Sequence, residues 1–241
     1  MAEDNRPVHQ QWWMSKLAHN GEAPPATAIA EGNPVGSRFA GLGNAEAAYM
    51  VGLWCADGYH RTSSIGLSNV DALLAIRMAD FLAHRFGRAR VRLRVYVPQG
   101  VERPVAYAKR IADAIVYRHV RKARHASYHV YVNSRPFLRQ MRQWRTELDT
   151  LPEWAILPYL AGRFDGDGSV AVDGRQDLRI VYGTREEATR DLILLQRVRT
   201  YETRVYRYAR ARTWVLYCSR QDAPDLLNDL RVFSTKLRQQ T

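Results

Sequence analysis

The chain has 241 residues, 46% of them hydrophobic, and a formal charge of +12. That length and apolarity bury a real core and exclude wholesale disorder, and two cysteines exclude a disulfide framework or a cysteine zinc site. Lysine occurs only at Lys16, Lys109, Lys122 and Lys236, so the excess charge is almost wholly arginine and points to a polyanionic partner.

No apolar stretch approaches the roughly 20 residues that span a bilayer, and "MAEDNRPVHQ" lacks the charged-then-apolar design of a secretory signal. An intracellular protein is the expectation. Residues 1–40 differ from the rest: "HQQWWMSKL" precedes "GEAPPATAIAEGNPVGS", which reads as an extension or linker, with Trp12, Trp13 and Met14 docking it on the core.

From about Asn44 the chain is regular. "NAEAAYMVGLWCADGYH" predicts a buried helix with Glu46 in its first turn, closed by Asp57-Gly58. A short strand-like stretch follows, then the helix pattern "DALLAIRMADFLAHRFG", strands "VRLRVYV" and "YHVYVNS", and the helix pattern "RPFLRQMRQWRTEL". "LPEWAILPYLAGRFDGDGSV" restarts the same series, continuing through "REEATRDLILLQRVRT", "ETRVYRYARARTWVLYCS" and "APDLLNDLRVFSTKL". The order αββαββα therefore appears twice, and the fold class expected is α+β with two pseudo-symmetric repeats.

Asp57-Gly58 and Asp167-Gly168 lie 110 residues apart, whereas the matched "Ser-Arg" pairs at Arg135 and Arg220 lie 85 apart. The first half thus carries about 25 extra residues, placed near 99–126 in "QGVERPVAYAKRIADAIVYRHVRKARHA". Its Arg110, Arg118, Arg121, Lys122 and Arg124 suit either phosphate contact or a solvated basic loop. The divisions expected are an extension over 1–40, a first repeat over 41–149 and a second over 150–241.

Gly52 with Ala56, and Gly162 with Gly166, are small residues four apart on one helix face, where two backbones can approach closely. Two helices packed this way about a pseudo-two-fold axis bring Asp57 and Asp167 side by side at their ends. Asp165, which has no match in the first half, is read as capping its helix or pairing with an arginine such as Arg163.

"LAGRFDGDG" at 160–168 and "MVGLWCADG" at 50–58 resemble the motif of the LAGLIDADG homing endonucleases. The second copy matches at Leu160, Ala161, Gly162, Asp165, Asp167 and Gly168, the first at Gly52, Leu53, Ala56, Asp57 and Gly58. Cys55 stands where the second copy has Asp165, and Met50-Val51 replaces Leu-Ala. The resemblance covers roughly residues 41–241. It implies motif helices at the centre, antiparallel sheets forming a DNA-binding saddle, and one Asp serving each strand of a double-strand break with short 3′ overhangs. Two carboxylates that repel favour a hard divalent cation with oxygen ligands, most simply Mg²⁺, so Asp57 and Asp167 are the expected metal ligands and catalytic residues. The family also places a basic residue near the end of the last strand of each repeat, where Arg135 and Arg220 fall, although lysine is its commoner choice.

Strand alternation sets Arg88, Arg90, Arg92 and Arg94 on one face of "GRARVRLRVYV", and Arg204, Tyr206, Tyr208, Arg210 and Arg212 on one face in the second half. Such cationic ribbons fit the DNA major groove. The expected activity is a monomeric, metal-dependent DNA endonuclease with a long, asymmetric target. The alternatives are an RNA-binding intron maturase or a non-cleaving DNA-binding regulator on the same fold. His60 is read as a turn or strand residue, and His84, His119, His125 and His129 show no ligand spacing.

Overall fold

Two helices whose buried surfaces extend almost all round them organise the computed structural model, which describes residues 42–121, 123–171 and 177–239. In α1 (Ala45–Asp57) every residue from Ala47 to Trp54 is buried, and in α5 (Glu153–Asp167) the buried run extends from Pro158 to Asp165. A helix apolar on all sides belongs at a centre rather than on a surface. The two pack on each other through their glycines. A Cβ at Gly52 would lie 1.9 Å from the Tyr159 carbonyl oxygen, and one at Gly162 would lie 2.0 Å from the Tyr49 carbonyl oxygen. Only hydrogen fits at either position. Trp12, Trp13 and Met14, with the rest of the expected extension, lie outside the described residues.

Each central helix runs straight into a strand. After α1 come β1 (Gly58–Arg61), β2 (Ser64–Asn69), α2 (Ala72–Phe86), β3 (Arg92–Pro98), α3 (Val105–Ile111), β4 (Ala114–Val120), β5 (Ser127–Asn133) and α4 (Arg135–Thr146). After α5 come β6 (Gly168–Val170), β7 (Leu178–Tyr182), α6 (Arg185–Val198), β8 (Thr203–Tyr208), β9 (Thr213–Cys218), α7 (Ala223–Arg231) and the short α8 (Thr235–Arg238). Apart from α3, β4 and α8, this is αββαββα twice. Local chemistry sets the starts: Asp71 accepts from Leu73 N at 2.8 Å before α2, and Ser134 and Thr184 cap α4 and α6 in the same way. Gly87, at φ 81°, ends α2.

The first sheet has the order β1-β2-β5-β3-β4 and the second β6-β7-β9-β8. One face of the first sheet buries Ile65, Leu67, Leu93, Val95, Val130 and Val132 with Leu74 and Met78 of α2 and Phe137 and Met141 of α4. In the second, Leu178, Ile180 and Leu216 meet Ala188, Leu194 and Leu195 of α6. The opposite faces carry no helix among the described residues.

Two expectations are refined. The inserted segment, open between a phosphate contact and a solvated basic loop in the sequence, folds into α3 and β4, and β4 joins β3 in parallel as a fifth strand, with Arg92 opposite Ala114 and Pro98 opposite Val120. The arginine stripes are also shorter than alternation suggests. Arg88 and Arg90 lie in a 3₁₀ turn after Gly87; there Arg88 pairs with Asp113 at 3.2 Å and Arg90 donates to the Asn133 carbonyl. Only Arg92 and Arg94, with Tyr96, share the β3 face. Likewise Arg210 and Arg212 fall in the turn between β8 and β9, with Arg212 at φ 57°, leaving Arg204, Tyr206 and Tyr208 on the strand.

Candidate active site

The close approach of the glycines carries through to the helix ends. A Cβ at Gly166 would sit 2.2 Å from the Ala56 Cβ and 3.2 Å from Asp57 Oδ2, so the last turns of α1 and α5 abut. Asp57 and Asp167, the final residues of the two helices, are thereby brought into one site. Burial raises the pKa of each above the ordinary carboxylate range, and the Asp167 charge pushes Asp57 further in the same direction. The Lys236 ammonium and the Arg163 guanidinium oppose that rise at both.

The two carboxylates are not held alike. Asn69, at the end of β2, donates from Nδ2 to Asp57 Oδ2 at 2.7 Å, and its own Oδ1 accepts from Asp71 N at 2.7 Å. The chain of contacts thus ties Asp57 to the cap of α2. Asp167 has no side-chain hydrogen bond of this kind among the described residues; Glu187, on α6, adds to its repulsion.

Lys236 enters from α8, with Nζ 3.5 Å from the Gly166 carbonyl oxygen. A buried polar cluster fixes the turn that carries it. Asp165, fully buried, accepts from Tyr49 Oη at 2.6 Å, from Thr235 N at 2.6 Å and from Ser234 Oγ. Ser234 Oγ in turn accepts from Leu237 N and caps α8. Arg77 donates to the Phe233 carbonyl at 2.6 Å and to Thr235 Oγ1 at 2.9 Å, holds Glu46 through two nitrogens, and lies 3.4 Å over the Tyr49 ring. The expected Asp165–Arg163 pair is therefore replaced. Arg163 is buried against Asp191 at 3.5 Å, and Asp165 anchors the C-terminal turn.

Arg135 and Arg220 are not brought to the carboxylates. Gly58 pairs with Leu67, and Leu67 with Val130, so Asp57 sits beside the early part of β5, whereas Arg135 lies beyond its far end. β5 runs on to Asn133 and Ser134 caps α4, so Arg135 begins that helix five residues past Val130, roughly 17 Å along an extended chain. Gly168 pairs with Ile180, and Ile180 with Leu216, so Arg220 is likewise displaced, in the exposed turn after β9. Sequence reading missed Asn69 and Lys236. The signal for Lys236 was its rarity, as one of four lysines in an arginine-rich chain; Asn69 carried none beyond its place before the Asp71 cap.

The donor set can be tested against a cation. Two carboxylates and a backbone carbonyl beside them are hard oxygen donors, and among the described residues no cluster of three or more His, Cys, Asp or Glu forms a closed metal cage. The oxygen donors suit Mg²⁺ or Mn²⁺, which bind one or two carboxylates and complete their shell with water and substrate phosphate.

No family model matches the chain, and no curated protein matches it. Solved structures do. I-DmoI in complex with DNA and Mn superposes with TM-score 0.54 at 11% identity, over 77% of this chain and 96% of that one. I-DmoI in complex with DNA and Ca gives TM-score 0.57 at 11% identity over 81% and 96%. The N-terminal LAGLIDADG domain of DUF199/WhiA gives TM-score 0.51 at 15% identity over 82% and 83%. The chain has the LAGLIDADG fold.

Proposed function

From that fold as premise, we propose that the protein is a divalent-metal-dependent endonuclease of double-stranded DNA, with both halves of the site on one chain. The observation that carries this is the convergence of Asp57 and Asp167 at the abutting ends of two helices, with Lys236 beside them. Structures of the same fold bound to DNA with Mn or Ca support the reading.

Asp57 and Asp167 would hold the cation, which when bound would polarise the scissile phosphate and raise the acidity of water beside it. Asn69 fixes the rotamer of Asp57 by donating to Oδ2, so that carboxylate is oriented before DNA arrives. Lys236, tied down through the Asp165 cluster, supplies a fixed positive charge toward the negative charge that grows on the phosphate. The helix-free sheet faces present Arg92, Arg94, Tyr96, Tyr131, Arg204, Tyr206 and Tyr217. Arg94 lies 5.0 Å over the Tyr131 ring and Arg204 4.8 Å over that of Tyr217, which holds both guanidinium forks in place for phosphates or guanine edges. Arg135 and Arg220, exposed at the far ends, fit phosphate clamps better than a role at the reacting atoms.

The test starts from random-sequence duplexes enriched for binding in Ca²⁺ and then transferred to Mg²⁺. The expected result is one recurrent sequence, broken in both strands only after transfer. Enrichment of single-stranded RNA instead, or tight duplex binding with no breaks in Mg²⁺ or Mn²⁺, would favour the maturase or the regulator.

A further inference from the structure

The two sheets differ in width, and the difference lies entirely in the inserted segment. Strand order places β1 next to the central helices and β4 outermost, beyond β3, whereas the second sheet stops at β8. In the parallel pair Arg92 faces Ala114, Arg94 faces Val116 and Tyr96 faces Arg118, so Val116 and Arg118 extend the helix-free face that carries Arg92 and Arg94. Both are exposed, as are Arg121 and Arg124 in the connection that follows. None of these three arginines forms an ion pair among the described residues, in contrast to Arg88, which the same segment does engage through Asp113.

We infer that β4, with Arg118, Arg121 and Arg124, lengthens the DNA contact on the first-half side and grips backbone phosphates beyond the span that the four-stranded second sheet covers. This rests on the proposed reading of both sheets as a DNA surface. One added strand widens a sheet by about 4.8 Å, and successive phosphates along one DNA strand are spaced by about 3.4 Å of helix axis, so the extension meets one or two further phosphates per strand. The competing account is that a basic edge strand merely discourages edge-to-edge pairing of chains. That account requires charge on β4 but gives DNA no part in it.

Hydroxyl-radical footprinting on a duplex enriched by the wild-type protein separates the two. Protection measured from the cleavage point is expected to reach further on one side, and Arg118→Ala/Arg121→Ala/Arg124→Ala to erase only that extra protection. The slope of log K against log salt falls by about 2 to 3 in that variant and recovers when the three are replaced by lysine, because each phosphate contact contributes roughly 0.9. Thermal unfolding of the variant close to that of wild type confirms that its fold is intact. Unchanged protection and slope in a folded alanine variant overturn the inference while leaving the DNA reading in place. If the wild type enriches no duplex at all, the DNA reading itself falls and this inference with it.

Discussion

Tyr49 and Tyr159 occupy the same position in the two central helices, 110 residues apart, yet their hydroxyls are satisfied by different means. On the Tyr49 side the acceptor is Asp165 of the opposite central helix, which also gathers Ser234 and Thr235. On the Tyr159 side the residue matching Asp165 is Cys55, and the acceptor is Asp191 on α6, at 3.0 Å, shared with Arg163 and Arg190. The repeat preserves the glycines that let the backbones meet and leaves each half to solve its buried polar problem separately. The consequence is structural asymmetry, since among the described residues only the Asp165 side holds a turn that delivers a lysine. One ammonium therefore opposes the pKa rise of both carboxylates, and on the proposed reading it serves both.

The symmetric part of this comparison is the easiest to break. Gly52→Ala and Gly162→Ala each drive a Cβ into a carbonyl oxygen, and no side chain can yield to relieve it. Each is expected to cost more than about 3 kcal/mol and to leave little folded protein, as chemical denaturation would show. A mild effect at either position would mean that the helices do not touch through these faces.

The asymmetric part is sharpened by removing the two buried carboxylates in turn. Asp165→Ala removes the carboxylate that accepts from Tyr49 Oη, Ser234 Oγ and Thr235 N, and Asp191→Ala removes the acceptor of Tyr159 Oη and the charge partner of Arg163, so both are expected to lose about 3 to 5 kcal/mol. Cleavage at a temperature where both remain folded tells them apart. Asp165→Ala slows it because Lys236 loses its anchor, and Asp191→Ala does not.

Lys236→Gln is expected to lower the cleavage rate by about 10² to 10³. Both DNA strands slow together, since one lysine acts at both carboxylates. Asn69→Ala, which frees only Asp57, is expected to slow one strand and let nicked duplex accumulate on a gel. Nicks with Lys236→Gln would assign that lysine to one half alone.

The glycine–aspartate repeat made the central helices and their carboxylates legible from the sequence, because close packing and paired charge each restrict residue type at fixed spacing. Register was not legible. Alternation alone extended the arginine stripe through Arg88 and Arg90, where Gly87 turns the chain instead, and it could not show that β4 pairs with β3. Proximity to the end of a strand made Arg135 and Arg220 attractive, but the pairing of β2 with β5 puts that end away from Asp57. Lys236 stood out only by its rarity, and its place beside the carboxylates was not legible because it depends on a cluster assembled from α1, α2, α5 and the C-terminal turn.

The smallest expected effect concerns Cys55. Burial pushes its thiol up to about 11, with Arg163 opposing the rise and Asp191 adding to it. Folding thus favours the protonated thiol, so its contribution to stability declines as pH rises from the ordinary thiol range toward that value. Cys55→Ser should flatten that decline slightly, and alkylation of the wild-type thiol at pH 8.5 should lag behind that of a free thiol. Fast alkylation in the folded protein would place Cys55 outside the Arg163–Asp191 cluster.

The most direct measurement compares wild type, Asp57→Asn and Asp167→Asn on one enriched duplex in Mg²⁺, scoring double-strand breaks and binding together. The account predicts that each variant binds nearly as well as wild type, that neither makes double-strand breaks, and that EDTA reproduces their loss in the wild type. Breaks that persist at the wild-type rate in either variant would contradict the assignment of the two helix-end carboxylates as the cutting site.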